Sequence, residues 1–225
     1  QVLLTQIKEM SDNIAHDLKS PITRIRGAAE VTLTTSHSIG EYEGMAASII
    51  EECDRLLDMI NTMLLISKTE AGVEKLSLED INLSNLLRDT CEIFTPGAED
   101  KGITLYCNAP GALHLNADIR MFQRMFSNLL DNAIKYTPSG GKVEVVLFEN
   151  VSGEASVSIR DTGIGISEGE LPQIFERFYR GDRSRSTPGI GLGLSLSRAI
   201  ARAHNGDIAV SSVIGEGSTF IVTLS

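Results

Sequence analysis

Apolar residues in the first seventy positions recur in steps of three and four. One series runs Leu3, Ile7, Met10, Ile14, Leu18, Ile22 and Ile25, and a second runs Tyr42, Met45, Ile49, Cys53, Leu56, Ile60 and Met63. That spacing places a narrow apolar stripe on one side of a helix and rules out a half-buried strand, whose period is two. Ser36-His37-Ser38-Ile39-Gly40 separates the two series as a polar turn, and Pro21 is the only proline before residue 70. The expected structure is two long helices closed into a hairpin. A lone two-helix hairpin buries little apolar surface. Pairing with a second copy makes a four-helix bundle with a shared core, so the sequence predicts a homodimer. The alternative is that the hairpin packs on the rest of its own chain.

The pattern changes after a linker at 71–80. Helical stretches are expected near 84–100, 118–136 and 190–204. Alternating strand-like runs are expected near 103–108, 112–116, 142–149, 155–161, 207–213 and 218–224. Late strands separated by Gly-rich turns suggest one sheet covered by one helical layer. The fold class is therefore an all-α helical hairpin, forming a dimeric four-helix bundle, followed by an α+β two-layer sandwich. The corresponding domains are 1–70 and 81–225, joined by the linker 71–80.

Composition narrows the partners. The 225 residues are 42% hydrophobic, which suits a folded chain, and the formal net charge is −10, so no domain-wide basic field attracts nucleic acid. The odd count of cysteines, Cys53, Cys91 and Cys107, without a close pair, reads as reduced thiols in a cytosolic setting. No apolar run approaches the roughly 20 residues of a membrane helix, and no signal peptide is visible. The sequence starts at Gln1, inside an expected helix, so an upstream part is expected to be missing.

The first chemical feature is His16-Asp17-Leu18-Lys19-Ser20-Pro21, in the middle of the first helix. His16 and Asp17 point away from the stripe of Ile14 and Leu18. Asp17 can accept a proton or hydrogen bond and keep a neighbouring imidazole neutral and nucleophilic. Pro21 lacks the N–H that would bond the carbonyl of Asp17, so a bend is expected one turn after the histidine. Alone, this reads as a surface histidine on a kinked helix.

A second feature has three pieces. Asn128, Asn132 and Lys135 fall on one face of a helix that ends before Pro138. Amide oxygens ligate Mg²⁺, which keeps several waters and phosphate oxygens, and lysine offsets phosphate charge. Asp161-Thr162-Gly163-Ile164-Gly165 follows a strand, where the glycines admit close approach and the carboxylate can accept from an exocyclic amine. Gly189-Ile190-Gly191-Leu192-Gly193 leads into a helix whose free N–H groups suit phosphate. It lacks the Gly-Lys-Ser/Thr of a Walker loop, and no strand precedes it as in a dinucleotide fold. Between the last two pieces lies Phe175-Glu176-Arg177-Phe178-Tyr179-Arg180, then Gly181–Ser186 with Arg183 and Arg185. This stretch reads as a mobile basic lid over phosphates or as a plain solvated loop.

Together these residues closely resemble the histidine kinases of two-component signalling. The stretch at His16 is similar to their H box, Asn128–Thr137 to the N box, Asp161–Gly165 to the first glycine box, Phe175–Arg180 to the F box, and Gly189–Gly193 to the second glycine box. The resemblance runs from about residue 8 to the end. It implies a dimerisation and histidine-phosphotransfer domain followed by an ATP-binding domain whose fold is shared with gyrase and the mismatch-repair MutL ATPases. By that likeness Asn132 is the principal Mg²⁺ ligand, with Asn128 and Lys135 near the phosphates. Tyr136 stacks near the nucleotide, Asp161 receives the adenine amino group, and Gly163, Gly165, Gly189, Gly191 and Gly193 shape the pocket. Arg177, Arg180 and Arg183 are alternative candidates for the γ-phosphate.

The resemblance further implies that His16 attacks the γ-phosphorus of ATP with Asp17 taking the proton. A response-regulator receiver domain then accepts the phosphoryl group on an aspartate, docking near Thr23, Arg24, Gly27, Ala28 and Val31. Ala28 and Val31 can equally be bundle core. Ser20 stands where the family often has Thr or Asn, and as a shorter, more mobile hydroxyl it leaves phosphatase activity open. The likeness places the chain as the cytoplasmic portion of a bacterial inner-membrane protein, the membrane being reached only through the missing upstream region. His37 and His114 read as a turn residue and a strand residue. His204, at a helix end before Asn205-Gly206, reads as a cation suited to the helix dipole. Two other functions compete: an ATPase that uses ATP for conformational change, which leaves His16 idle, and a non-enzymatic dimeric adaptor, against which Asn132, Asp161 and the glycines argue.

Overall fold

The computed structural model describes residues 19, 21–34, 38–149, 154–181 and 189–224. His16, Asp17, Ser20, His37 and Arg183 lie outside these described residues. The chain divides into two compact units, Gln1–Leu64 and Leu65–Ser225.

The first unit contains helix α1, described over 21–34, and most of α2 (Ile39–Glu70). Ser38 opens α2 in a reciprocal cap. Its hydroxyl stands 3.4 Å from the Glu41 N–H, while the Glu41 carboxylate accepts from the Ser38 N–H at 2.7 Å and from its hydroxyl at 2.8 Å. Arg24 of α1 holds Glu52 of α2 through two hydrogen bonds, 3.0 and 2.9 Å, and Arg55 adds a third charge-assisted contact to Glu52. Gly27, Ala28 and Val31 face Gly44, Met45 and Ser48 across a groove of about 470 Å³. Ile22, Leu33, Ile50, Leu57 and Ile60 remain exposed on this unit.

The second unit opens with the last turns of α2, where Ile66 is fully buried. Then follow β1 (Glu79–Asn82), α3 (Leu83–Asp100), β2 (Thr104–Asn108), β3 (His114–Ala117), α4 (Ile119–Tyr136), β4 (Lys142–Glu149), β5 (Ala155–Asp161), α5 (Gly193–Ala203), β6 (Asp207–Val213) and β7 (Gly217–Leu224). Five strands form one mixed sheet in the order β2-β4-β5-β7-β6, parallel only between β2 and β4. β1 and β3 pair separately. The period-two alternation sets the inward face, with Val143, Val145 and Leu147 of β4 and Phe220, Val222 and Leu224 of β7 buried. Against it lie Leu87 of α3, Phe122, Phe126 and Leu130 of α4, and Leu196 and Ile200 of α5, each almost wholly buried. Each large apolar side chain contributes about 1.5–3 kcal/mol by leaving water, so this layer holds the sheet against the helices. The result is the helical region followed by the two-layer α+β sandwich that the sequence suggests.

Two details depart from the sequence reading. Residues 79–82 form a strand rather than connecting chain, paired with His114–Ala117. His204 is not the cation suited to a helix dipole that its position suggests. It is 7% exposed, donates Nδ1–H to the Ile200 carbonyl at 2.8 Å and accepts the Asp118 N–H at Nε2 at 3.1 Å. Both bonds together require the neutral ring.

Candidate nucleotide site

α4 is held at both ends by side chains outside the helix. Asp118 is its N-cap and accepts from the N–H groups of Arg120 and Met121, and it also accepts the N–H of Ser77 from the preceding chain. Burial works against the Asp118 charge, but these three N–H bonds and Arg120 hold its carboxyl below the usual range. At the other end Lys101 donates to the carbonyls of Ile134 and Lys135 at 2.8 and 2.7 Å, occupying groups that a helix C-terminus leaves open.

Along the outer side of α4 stand Asn128, Asn132 and Lys135. A methyl group placed on Gly193 would sit 3.8 Å from both Asn128 Cγ and Asn132 Nδ2, and one on Gly189 would sit 2.9 Å from Lys135 Nζ. The second glycine segment therefore runs against all three side chains. Gly193 starts α5, whose N-cap Leu192 makes no side-chain cap bond, so peptide N–H groups are left for a ligand. Asn128 Nδ2 is one of two buried side-chain polar atoms without a hydrogen-bond partner among the described residues. Such a donor is costly to leave unmade and suits an incoming acceptor. Burial pulls the Lys135 ammonium below its usual range, Asp131 opposes this, and the nearby charge of Arg180 adds to it. An ammonium partly withdrawn from water, with a second cation near enough to act on it, suits an anion.

Asp161 ends the central strand β5 and is 6% exposed. Its Oδ1 accepts the Gly163 N–H at 2.8 Å and the Ser218 N–H at 3.3 Å. Burial pushes the Asp161 carboxyl up, and the two N–H bonds partly offset it. Gly163 packs so closely that an added methyl would lie 2.6 Å from the Tyr136 carbonyl. Gly165, at φ 67°, would bring one within 2.1 Å of the Val213 carbonyl. The Ile164 N–H, bonded to the Tyr136 carbonyl at 3.2 Å, fastens this turn to the end of α4. Tyr136 carries Lys135 Nζ over its ring at 5.3 Å.

The aromatic segment after β5 divides. Phe178 is buried at φ 64°, a left-handed conformation rare for a bulky residue. Its N–H bonds the Gly191 carbonyl at 2.9 Å, tying it to the second glycine segment. Gly191, at φ 74°, would place a methyl 2.8 Å from Phe178 and Tyr179 backbone atoms. Phe175 lies under the Arg198 guanidinium at 4.7 Å. Arg177 is not brought to the Asn132–Lys135 cluster. It forms an ion pair with Glu70 and donates to the Ser67 hydroxyl at 3.2 Å. Thus Asn128, Asn132, Lys135, Gly189 and Gly193 come together, Arg180 acts on Lys135, and Arg177 is held elsewhere. Ser218, Lys101 and the Asp118–His204 pair carry no local motif. Only the β5–β7 register, which sets Asp161 opposite Ser218, points to the first of these.

The fold and cluster define a nucleotide-binding domain of the ATPase kind, preceded by a helical hairpin. Residues 6–72 match the phospho-acceptor family described as "His Kinase A (phospho-acceptor) domain", and 117–225 match "Histidine kinase-, DNA gyrase B-, and HSP90-like ATPase". The chain belongs to the histidine kinase family, with a phospho-acceptor domain followed by an ATPase-like domain. It is 34% identical over 206 residues to "Probable sensor protein PcoS" of Escherichia coli, covering 91% of this chain and 44% of that protein. It is 33% identical over 229 residues to "Sensor histidine kinase CusS" of Escherichia coli K12, covering 99% and 46%. The chain thus spans less than half the length of these relatives. Among solved structures, full-length ShkA in complex with AMPPNP superposes with a TM-score of 0.71 at 26% identity, covering 96% of this chain and 45% of that one. Among the described residues no helix is long and apolar enough to cross a membrane.

Proposed function

We propose that this chain phosphorylates its own His16 from ATP and passes the phosphoryl group to an aspartate of a response-regulator receiver domain. The observation that supports this most directly is the meeting of Asn128, Asn132 and Lys135 with Gly189 and Gly193, on the helix whose last residue, Tyr136, meets the turn after the buried Asp161. In this reading Asp161 accepts the adenine amino group and Tyr136 stacks near the nucleotide. Asn128 Nδ2 and Lys135 bind phosphate oxygens, and the N–H groups at the start of α5 face the same oxygens. Arg177, Arg180 and Arg183 are the candidates for the γ-phosphate, with Arg180 favoured by its charge beside Lys135.

The residues present fit a Mg²⁺ ion held largely by the nucleotide. Asn132 offers an amide oxygen, and among the described residues no group of three or more His, Cys, Asp or Glu could hold a metal. When bound, the ion would neutralise phosphate charge. His16, kept neutral, attacks the γ-phosphorus. The N–P bond forms as the bond to the β-phosphate oxygen breaks, ADP leaves, and Asp17 takes the proton from the other ring nitrogen.

The domain assignment proposed is 1–70 for dimerisation and phosphotransfer, 71–80 as linker and 81–225 for nucleotide binding. Exposed Ile22, Leu33, Ile50, Leu57 and Ile60 support a homodimer in which a second hairpin covers them. The receiver domain docks near Thr23, Arg24, Gly27, Ala28 and Val31, and Ser20 is the hydroxyl available for its dephosphorylation. The chain is proposed as the cytoplasmic portion of a bacterial inner-membrane sensor, in line with the sensor proteins it matches.

Incubation with γ-labelled ATP and Mg²⁺ tests the reading. Acid-labile, base-stable label that disappears in His16→Gln, and on removal of Mg²⁺ by a chelator, is the expected result. Phosphate release without protein labelling would replace it with a conformational ATPase, and neither signal would leave an adaptor.

A further inference from the structure

Cys91 and Cys107 meet inside the second unit. Cys91 lies one turn after Leu87 on the buried side of α3 and is 4% exposed. Cys107 lies on β2, where Leu105 and Cys107 are half-buried and their neighbours are exposed. α3 packs on β2, and Cys91 and Cys107 lie on the two sides of that seam, near enough for each to shift the other's ionisation. β2 is an edge strand of the five-stranded sheet, so Cys107 lies where solvent reaches. Arg88, one turn before Cys91, bonds the Ser84 carbonyl and the Asn85 amide oxygen and brings its charge to Cys107. Nothing in the proposed phosphotransfer uses these residues.

We propose that Cys107 and Cys91 form an oxidation site in which a hydroperoxide converts the pair to an intrachain disulfide. The chemistry divides between the two sulfurs. Accepting from Cys91 pulls the Cys107 thiol down, burial opposes this, and Arg88 adds to the lowering. Donating to Cys107, together with burial, pushes Cys91 up. Cys107 is therefore the more readily ionised sulfur of the two and the one that solvent reaches, so a hydroperoxide reacts there first. The Cys107 thiolate takes the terminal oxygen, giving a sulfenic acid, and the peroxide O–O bond breaks to release water or an alcohol. Cys91 then attacks the Cys107 sulfur, the S–O bond breaks, and a second water leaves carrying the Cys91 proton. The two thiols lose two electrons in all and the hydroperoxide gains them. Cys91, shielded in the core, serves as resolving thiol and does not meet the oxidant first.

The test uses the full chain with Cys53→Ser, because Cys53 is exposed and would link chains to one another. Hydrogen peroxide treatment is followed by non-reducing digestion and mass spectrometry. The expected product is a Cys91–Cys107 linked peptide with loss of two hydrogens from the intact mass, reversed by dithiothreitol. In a further Cys91→Ala variant, dimedone is expected to label Cys107. Should that variant fail to fold, the rate of linking in the folded chain is compared with that in urea, and faster linking in the folded chain is expected. Overoxidation of Cys107 without a link, a chain that resists peroxide doses able to modify Cys53 in the native sequence, or linking no faster folded than in urea would each overturn the proposal.

Discussion

The Asp118 backbone N–H donates to Nε2 of His204 at 3.1 Å, joining the start of α4 to the end of α5 across 86 positions of sequence. The ring is also edge-on to Phe122, with centroids 4.6 Å apart. His204→Ala removes the acceptor for a buried N–H and opens space beside Phe122. A loss of about 2–4 kcal/mol in urea unfolding is expected, with nucleotide affinity falling in parallel because both helices bear on the site. Unchanged stability would show that this bond carries none of the load assigned to it.

Asp161→Asn separates binding from stability. Burial raises the Asp161 carboxyl above its unfolded value, so its contribution is fully present below the unfolded value and is lost as pH rises through the folded one. At neutral pH the buried charge therefore weighs against folding. Asn keeps an oxygen for the Gly163 and Ser218 N–H groups, so the variant is expected to unfold at higher temperature near pH 7. Its amide donor faces the adenine amine, and ATP binding measured by calorimetry is expected to fall at least roughly a hundredfold.

The glycines divide in the same way. Gly165→Ala places a methyl 2.1 Å from a carbonyl oxygen at a left-handed φ, and loss of soluble folded protein is expected. Gly193→Ala meets only ordinary contacts at 3.8 Å, so circular dichroism is expected to show the native fold. That methyl occupies space between Asn128 and Asn132, and a rise in the Kd for ATP is the expected effect.

Arg177 and Glu70 give opposite predictions. Glu70 holds Arg177 away from the Asn132–Lys135 cluster. Glu70→Ala is expected to raise the initial rate of His16 labelling by a factor of about 2–5, the worth of a partly exposed ion pair. Arg177→Ala is expected to lower it roughly tenfold, the worth of a charge-assisted hydrogen bond. Equal losses in both variants would assign Arg177 to structure alone.

Asp207 governs the acid limb. Its bonds from Arg198 hold its carboxyl far below the usual carboxylate range, against burial. The stability it adds is present above the unfolded value and lost as pH falls through the folded one. The carboxylate is half-exposed, so the pair contributes no more than about 1 kcal/mol. Asp207→Asn is expected to be less stable than the parent at pH 7 and to converge with it in strong acid, measured by urea titration at both pH values.

Legibility in sequence followed the range of the forces involved. Val143, Val145 and Leu147 announce β4 because alternation is local, and the spacing of Asn128, Asn132 and Lys135 announces a shared helical face for the same reason. β1 was invisible because Glu79-Asp80-Ile81-Asn82 holds one apolar residue and is extended only by its pairing with His114–Ala117. His204 reads as a helix-end cation until Asp118 is placed beside it. Arg177 reads as a γ-phosphate candidate from its residue type, and nothing local announces its ion pair with Glu70, 107 positions earlier. In each case the partner is remote in sequence, and residue type alone cannot say which partner is met.

α4 is clamped before any nucleotide arrives, by Asp118 at its first turn and by Lys101 at its last carbonyls. Its residues have little conformational freedom left to lose, so the entropic penalty of binding falls on other segments. Substitutions at Lys101 should therefore register in calorimetry as a more unfavourable binding entropy, even though that residue's ammonium bonds only the backbone of the helix.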